Sequence, residues 1–190
     1  MSILCTVTSA SSDQLAQLLT SPAYIAPFLF GPPPLSRLDR LWALVGRGVS
    51  PPPPWLTAPP PEHLALGKAW DGIRFLLTGT TDPDDGPLPE AFLGHGGDAV
   101  GTEDLGYGPA RAFSPAATGA IATCLASYTP DALEARFDPV RFSSQHIYPG
   151  TIWHRERSQS IGWLLDEFVC LQGFTRAVAE RNHGIIIALV

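Results

Sequence analysis

The chain has 190 residues, of which 45% are apolar and 16% charged, and its formal net charge at pH 7 is −6. A chain of this length fits one domain and can bury a hydrophobic core without help from metals or disulfides. Its 12 basic residues are Lys68 and 11 scattered arginines. Nucleic-acid binding needs a concentrated basic patch, so this balance argues against a nucleic-acid partner.

The three cysteines, Cys5, Cys124 and Cys170, lie far apart in the sequence and each stands in an apolar segment. They form no zinc-ligand spacing and no disulfide framework, so we predict three buried free thiols, no metal and no cofactor. The N-terminus lacks a basic stretch followed by a long apolar run, and no run of about 18 apolar residues occurs anywhere. We therefore expect a soluble cytoplasmic protein with no membrane contact.

The first part of the chain predicts a strand followed by helices. Ile3–Val7 is apolar and β-branched, which favours an opening strand. Ser11 and Gln14 have the spacing of a capping box and predict the start of a short helix. A second apolar stripe at helical spacing predicts another helix over Ser36–Val45.

Proline dominates the next stretch, since seven of the eleven residues from 51 to 61 are prolines. Proline removes backbone donors and favours extended polyproline II structure. We predict a surface loop over about residues 46–61, within a single domain spanning 1–190, that Trp55 fastens to the body. A recognition tract for an aromatic-lined groove is the alternative.

Apolar residues at helical spacing predict a helix from Leu66 to Leu77, closed by Gly79. The glycine-rich region that follows, about residues 80–113, predicts short strands and tight turns. Ser114-Pro115 and Thr129-Pro130 are each typical of a helix start, with an N-cap hydroxyl before a first-turn proline.

A long apolar stripe predicts a last helix over about Ser158–Arg181, and the continuous apolar run Ile185–Val190 predicts a buried strand beside the opening one. The predicted fold class is α+β. We expect a single compact domain with a small mixed sheet that contains the N- and C-terminal strands, packed by several helices including the long C-terminal one.

Four blocks of the sequence resemble the YfbM-like family of uncharacterised bacterial proteins: 69–79, 105–111, 147–153 and the long helix with its final apolar strand. The likeness covers about residues 64–190 and the first strand and helix. Relative to the family, the proline-rich stretch looks like an insertion particular to this chain. The resemblance implies a compact α+β fold and carries no assigned reaction. The family often has histidine where this chain has Arg74, and arginine does not deprotonate in proteins, so acid–base chemistry there is disfavoured.

The blocks contain the candidate ligand-binding residues, whose polar and aromatic side chains suit an anionic or amide-bearing ligand. These are Trp70, Asp71, Arg74, Tyr107, Arg111 and Tyr148. The alternative for Asp71 and Arg74 is a surface ion pair three residues apart on a helix. For Arg111 the alternative is a bond that ties a loop to a helix C-terminus or to a carboxylate such as Glu103 or Asp104.

Other chemistries are disfavoured by spacing. Gly94–Gly97 lacks the lysine and hydroxyl of a phosphate-binding loop, so tight turns explain it. The five histidines include no pair at metal-ligand spacing, although His95 and His146 stay open as candidate bases. The acidic turn around Asp82 lacks the glycine and glutamate of a calcium loop.

Two functions remain. The favoured one is a non-catalytic binding protein of the adaptor or immunity type, whose acidic surface meets a protein partner. The other is an enzyme or small-molecule binder with one cleft surrounded by Asp71, Arg74, Tyr107, Arg111 and Tyr148. Catalytic residues and oligomeric state are not predicted.

Overall fold

The structure is a computed structural model that describes residues 2–31, 52–82, 84–150, 152–153 and 157–190. The predicted helix over Ser36–Val45 lies outside the described residues. The described part contains five strands in one sheet of order β2-β1-β5-β4-β3. The strands are β1 (Cys5–Ala10), β2 (His63–Gly67), β3 (Asp98–Ala99), β4 (Arg111–Phe113) and β5 (Gly184–Leu189).

The two terminal strands form the centre of the sheet. β5 pairs with β1 on one side and with β4 on the other, and all four strand pairings are antiparallel. Residues 184–188 of β5 are all buried, which explains why this strand is apolar at every position rather than at alternate ones. The predicted pairing of the opening and closing strands is confirmed.

Seven α-helices flank the sheet in the described part of the chain, where we number them in order. They are α1 (Ser12–Thr20), α2 (Ile25–Phe30), α3 (Ala69–Thr78), α4 (Pro115–Ala126), α5 (Pro130–Arg136), α6 (Pro139–Ser144) and α7 (Arg157–Glu180). The α+β class, the terminal strands within the sheet and the long C-terminal helix are thus confirmed. The sheet is antiparallel throughout, whereas the sequence predicted a mixed one.

Helices α3 to α7 cover one face of the sheet and build the larger core, which includes Val7, Ile73, Trp153, Phe168 and Ile187. Local signals set the helix ends. Ser114 and Thr129 cap α4 and α5 through their hydroxyl groups, as predicted, and Gly79 ends α3 in the left-handed conformation.

The opposite face of the sheet packs against α1, α2 and residues 55–56 of the proline-rich segment. The predicted capping box is present, with Ser11 and Gln14 bonded reciprocally. Gln14 also donates to the carbonyl groups of Trp55 and Pro59, and the indole of Trp55 lies edge-on against Tyr24. Among the described residues of this segment, Trp55 therefore does fasten the chain to the body.

Two local predictions need correction, and one helix was missed. Leu66 belongs to β2 rather than to α3, because its side chain is buried under the helices while the strand pairs with β1. Helix α6, which Asp138 caps, has too few apolar positions to show a helical period in the sequence. Only Cys5 of the three free thiols is fully buried, and Cys170 is exposed on α7.

Candidate functional site

The first group of predicted residues lies on α3 and on the segment before α7, and Arg74 is its centre. The Arg74 guanidinium is 1% exposed and pairs with Asp71 at 2.7 Å. Its Nε atom donates to the same carboxylate oxygen, and its remaining N–H groups donate to the carbonyls of Thr80, Thr81 and Asp82. All five guanidinium N–H groups are therefore used within the protein.

The second oxygen of Asp71 accepts the backbone N–H of Tyr148 at 2.9 Å. The Tyr148 hydroxyl accepts the N–H of Ile3 at 2.9 Å, just before β1 begins. The indole N–H of Trp70 is buried and has no hydrogen-bond partner among the described residues. This network, the Arg74 corner, joins α3 to the turn after it, to the segment before α7 and to the start of the sheet.

The predicted ion pair between Asp71 and Arg74 is thus confirmed, but its location at the surface is wrong. The carboxylate and guanidinium are both buried, because the turn over residues 80–82 folds back on α3 and delivers three carbonyl groups to Arg74. The corner has no guanidinium donor left for a ligand.

The second group lies around β4. Arg111 is half-buried, and its guanidinium donates to the carbonyls of Phe92 and Gly96 at 3.1 Å and of Leu93 at 2.9 Å. These bonds use three of its five N–H groups. Within the described ranges no carboxylate lies at ion-pair distance from it, so Glu103 and Asp104 are not its partners as the alternative prediction had suggested.

The Arg111 guanidinium forms part of the lining of a cavity of about 310 Å³. The glycine-rich segment Gly94–Gly97, Tyr107 and Leu189 line the same cavity. Burial lowers the pKa of Arg111, whereas the nearby Asp84 carboxylate raises it. Arginine keeps its charge at every physiological pH, so the cavity is lined by a cation that forms no ion pair within the described part of the chain.

A tight loop presents Tyr107 to the cavity. One oxygen of the Asp104 carboxylate accepts the backbone N–H groups of Gly106 and Gly108, both at 2.8 Å. These bonds lower the pKa of Asp104. The Tyr107 side chain is 42% exposed, so its ring is available as a contact surface beside Arg111. We call Tyr107, Arg111 and residues 94–97 the Arg111 cavity.

The segment that supplies much of the lining of this cavity is acidic. Residues 75–110 contain no lysine or arginine, and their seven acidic residues are Asp82, Asp84, Asp85, Glu90, Asp98, Glu103 and Asp104. Asp84 lines the cavity itself, and Asp98 is exposed on the edge strand β3 next to it. The cavity lining therefore combines the half-buried Arg111 guanidinium with the Asp84 carboxylate.

The structure does not place the predicted residues around one cleft. Asp71, Arg74 and Tyr148 share the hydrogen bonds of the Arg74 corner, and none of them lines the Arg111 cavity. Spacing along the chain could not reveal this separation, because residues 80–82 and 92–96 supply carbonyl groups, which carry no signal in the sequence.

His95 and Asp84 also line the Arg111 cavity. His95 stood among the sequence candidates as a base, and its Nε2 lies 3.1 Å from the carbonyl of Gly86. Gly96 and Gly97 have positive φ values of 81° and 75°, which supports the prediction of tight turns there. The described residues contain no group of three metal-ligating side chains.

A model of the family described as a domain of unknown function (DUF1877) matches residues 1–188. The chain therefore belongs to this family. Among solved structures, it is similar to the Escherichia coli protein YfbM, itself of unknown function, with 19% identity and a TM-score of 0.66. That match covers 98% of this chain and 99% of the other, and it shows the shared fold.

The search of curated proteins found no match. None of the described helices is long and apolar enough to cross a membrane. The family and the fold are therefore established, and the side chains described above are what bears on function.

Proposed function

We propose that this protein is a binding protein whose Arg111 cavity receives the carboxylate end of a ligand. The observation that carries the proposal is the Arg111 guanidinium, which lines a cavity of about 310 Å³ and has no carboxylate among the described residues at ion-pair distance. A buried charge is costly unless it is paired, and a ligand carboxylate would supply the missing partner.

The remaining donors of Arg111 support a specific contact. Three of its N–H groups hold the 92–96 segment in place, which fixes the plane of the guanidinium. Two N–H groups are left for an acceptor in the cavity. The exposed ring of Tyr107 adds an aromatic surface beside them, so a carboxylate with a small apolar or planar body fits the lining.

Charge around the cavity narrows the ligand class. Asp84 stands in the lining, and the acidic residues of segment 75–110 repel a ligand with a net negative charge. A zwitterion places its carboxylate at Arg111 and its ammonium group toward Asp84. Free amino acids, or the end of a peptide with a basic residue, therefore suit the cavity better than dicarboxylates do.

A protein partner is the second candidate, and it is the one that the sequence favoured. The observation that supports it is the acidic surface of segment 75–110, which also exposes Leu88 (52%) and Tyr107 (42%). Apolar and aromatic side chains inside an acidic surface suit a basic partner segment. In this candidate the partner's chain end would enter the cavity.

The experiment is a calorimetric titration of the full chain with each of the twenty amino acids, with succinate, and with short basic peptides that end in a free carboxylate. We expect saturable binding of at least one zwitterion and none of succinate. Tyr107→Ala should weaken that binding about tenfold, since stacking on an aromatic ring contributes on the order of 1 kcal/mol.

Tyr24→Ala is the matched control, because Tyr24 is similarly exposed (38%) but packs near Trp55 on the other face of the sheet. Binding that requires the peptide and ignores free amino acids would favour the protein partner. Absence of binding by every zwitterion and peptide, or equal affinity in the Tyr107 variant, would contradict the proposal.

A further inference from the structure

A third arrangement of arginines lies at the C-terminal end of α3, apart from the Arg111 cavity. Arg136 on α5 and Arg141 on α6 both line a cavity of about 280 Å³, together with Phe75–Gly79. Both side chains are exposed. Two guanidinium groups thus border one recess in a chain whose net charge is −6.

Each guanidinium is held in place by a carbonyl group and an aromatic ring. Arg136 donates to the carbonyls of Leu76 and Leu77 at 3.0 and 3.3 Å, and it lies 5.1 Å from the centroid of the Tyr128 ring. Arg141 donates to the carbonyl of Gly79 at 3.1 Å and lies 4.9 Å from the centroid of the Phe75 ring.

Capping of α3 accounts for part of this arrangement. The last carbonyl groups of a helix lack partners within the helix, and arginine side chains commonly satisfy them. That role uses one nitrogen of each guanidinium and leaves at least three N–H groups on each side chain. Neither arginine forms an ion pair with a carboxylate in the described part of the chain.

The neighbouring arginine is not available to a ligand. Arg74 belongs to α3 itself, but Asp71 and three carbonyl groups of residues 80–82 take up all its donors. Asp138 is also engaged, because one of its carboxylate oxygens accepts the N–H groups of Val140 and Arg141 at the start of α6. The positive charge facing the recess therefore comes from Arg136 and Arg141.

We propose that Arg136 and Arg141 form a binding site for a phosphate group, carried by a small phosphate monoester. A phosphate dianion has three oxygens that can accept from two planar guanidinium forks at once, whereas a carboxylate is matched by one fork. The cavity is larger than inorganic phosphate alone, so there is room for a small organic group beside Thr78 and Gly79.

The test is an NMR titration of the full-length protein with glycerol phosphate and, separately, inorganic phosphate, following the arginine Nε–Hε signals. We expect saturable shifts at Arg136 and Arg141, and none with sodium chloride at matched ionic strength. Arg141→Gln should weaken binding of glycerol phosphate about tenfold, because it removes one of the two forks.

Arg176→Gln is the control variant, since Arg176 is a surface arginine (75% exposed) whose ion pair with Glu180 is 3.9 Å long. The affinity of the Arg176→Gln variant for glycerol phosphate should equal that of the wild-type protein. Arg141 has a single carbonyl bond, so its variant should stay folded, and a thermal melt checks this.

If the Arg141 variant unfolds, the titration of the wild-type protein alone tests whether Arg136 and Arg141 bind the phosphate group. Shifts confined to other arginines, or shifts that chloride reproduces at the same ionic strength, would overturn the proposal. So would unchanged affinity in a folded Arg141→Gln protein.

Discussion

Arg74 is buried and Arg111 is half-buried, and each ties a loop to the body through three backbone carbonyls. Only Arg74 is closed to ligands. Arg74 adds a buried carboxylate, so all five of its donors are satisfied. Arg111 has no such carboxylate among the residues that the structure describes, and it borders a cavity. The presence of an internal counter-ion separates a structural arginine from a candidate binding arginine.

The closed surroundings of Arg74 also set the role of this side chain. All five N–H groups of the Arg74 guanidinium donate to acceptors within the protein. The Arg74 corner therefore links α3, the 80–82 turn and the start of the sheet, and its role is stability.

The largest effect is expected from Arg74→Met, which leaves the Asp71 carboxylate buried without its cation. The free energy of unfolding should fall by about 3–5 kcal/mol, because the remaining carboxylate stays buried without a counter-ion. Urea denaturation measures this, with Arg176→Met as a control expected to change stability by about 0.5 kcal/mol or less. A loss below about 1 kcal/mol would mean that the corner is not closed as described.

Arg111→Met should have a smaller effect on stability, about 2–3 kcal/mol, because it removes hydrogen bonds to carbonyls but strands no carboxylate. The same urea experiment, run side by side, gives the ranking of the two arginines. Binding of the zwitterionic ligand should be abolished in this variant. If Arg111→Met costs more stability than Arg74→Met while the ligand still binds, the two arginines have the opposite roles.

The smallest effect concerns the loop that presents Tyr107. Hydrogen bonds from Gly106 and Gly108 lower the pKa of Asp104 below its ordinary value of 3.8. The loop contacts are therefore fully present above that value and are lost as the pH falls through the lowered folded-state pKa.

The pH titration of the Gly106 and Gly108 amide signals by NMR measures this loss. Asp104→Asn should remove the titration and leave urea stability nearly unchanged, since the side chain is exposed. Amide signals that titrate at the ordinary carboxylate value would show that the loop bonds do not persist in solution.

Local signals in the sequence predicted most of the elements. The capping box at Ser11, the hydroxyl–proline pairs that start α4 and α5, and the glycine that ends α3 all act within a few residues, so the sequence displays them directly. Helix α6 and strand β2 were missed, because a short element has too few positions to show a period.

The sequence showed the candidate residues through their side-chain types, but it did not show their hydrogen-bond partners. Asp71 and Arg74 lie three apart on one helix, which predicts their contact without the structure. Their burial depends on carbonyls from residues 80–82, and the open donors of Arg111 depend on where residues 92–96 pass. Backbone acceptors are the same at every residue, so the sequence could not show which of them reach a side chain.

The sequence by itself determined the α+β class, the pairing of the two terminal strands and most helix ends, because hydrophobic period and capping chemistry are local. The tertiary structure alone decided that Arg74 is closed to ligands whereas Arg111 faces a cavity. It also decided that Arg136 and Arg141 line one cavity at the end of α3. Each of these outcomes depends on long-range packing, which sets the distance between a charge and its nearest acceptor.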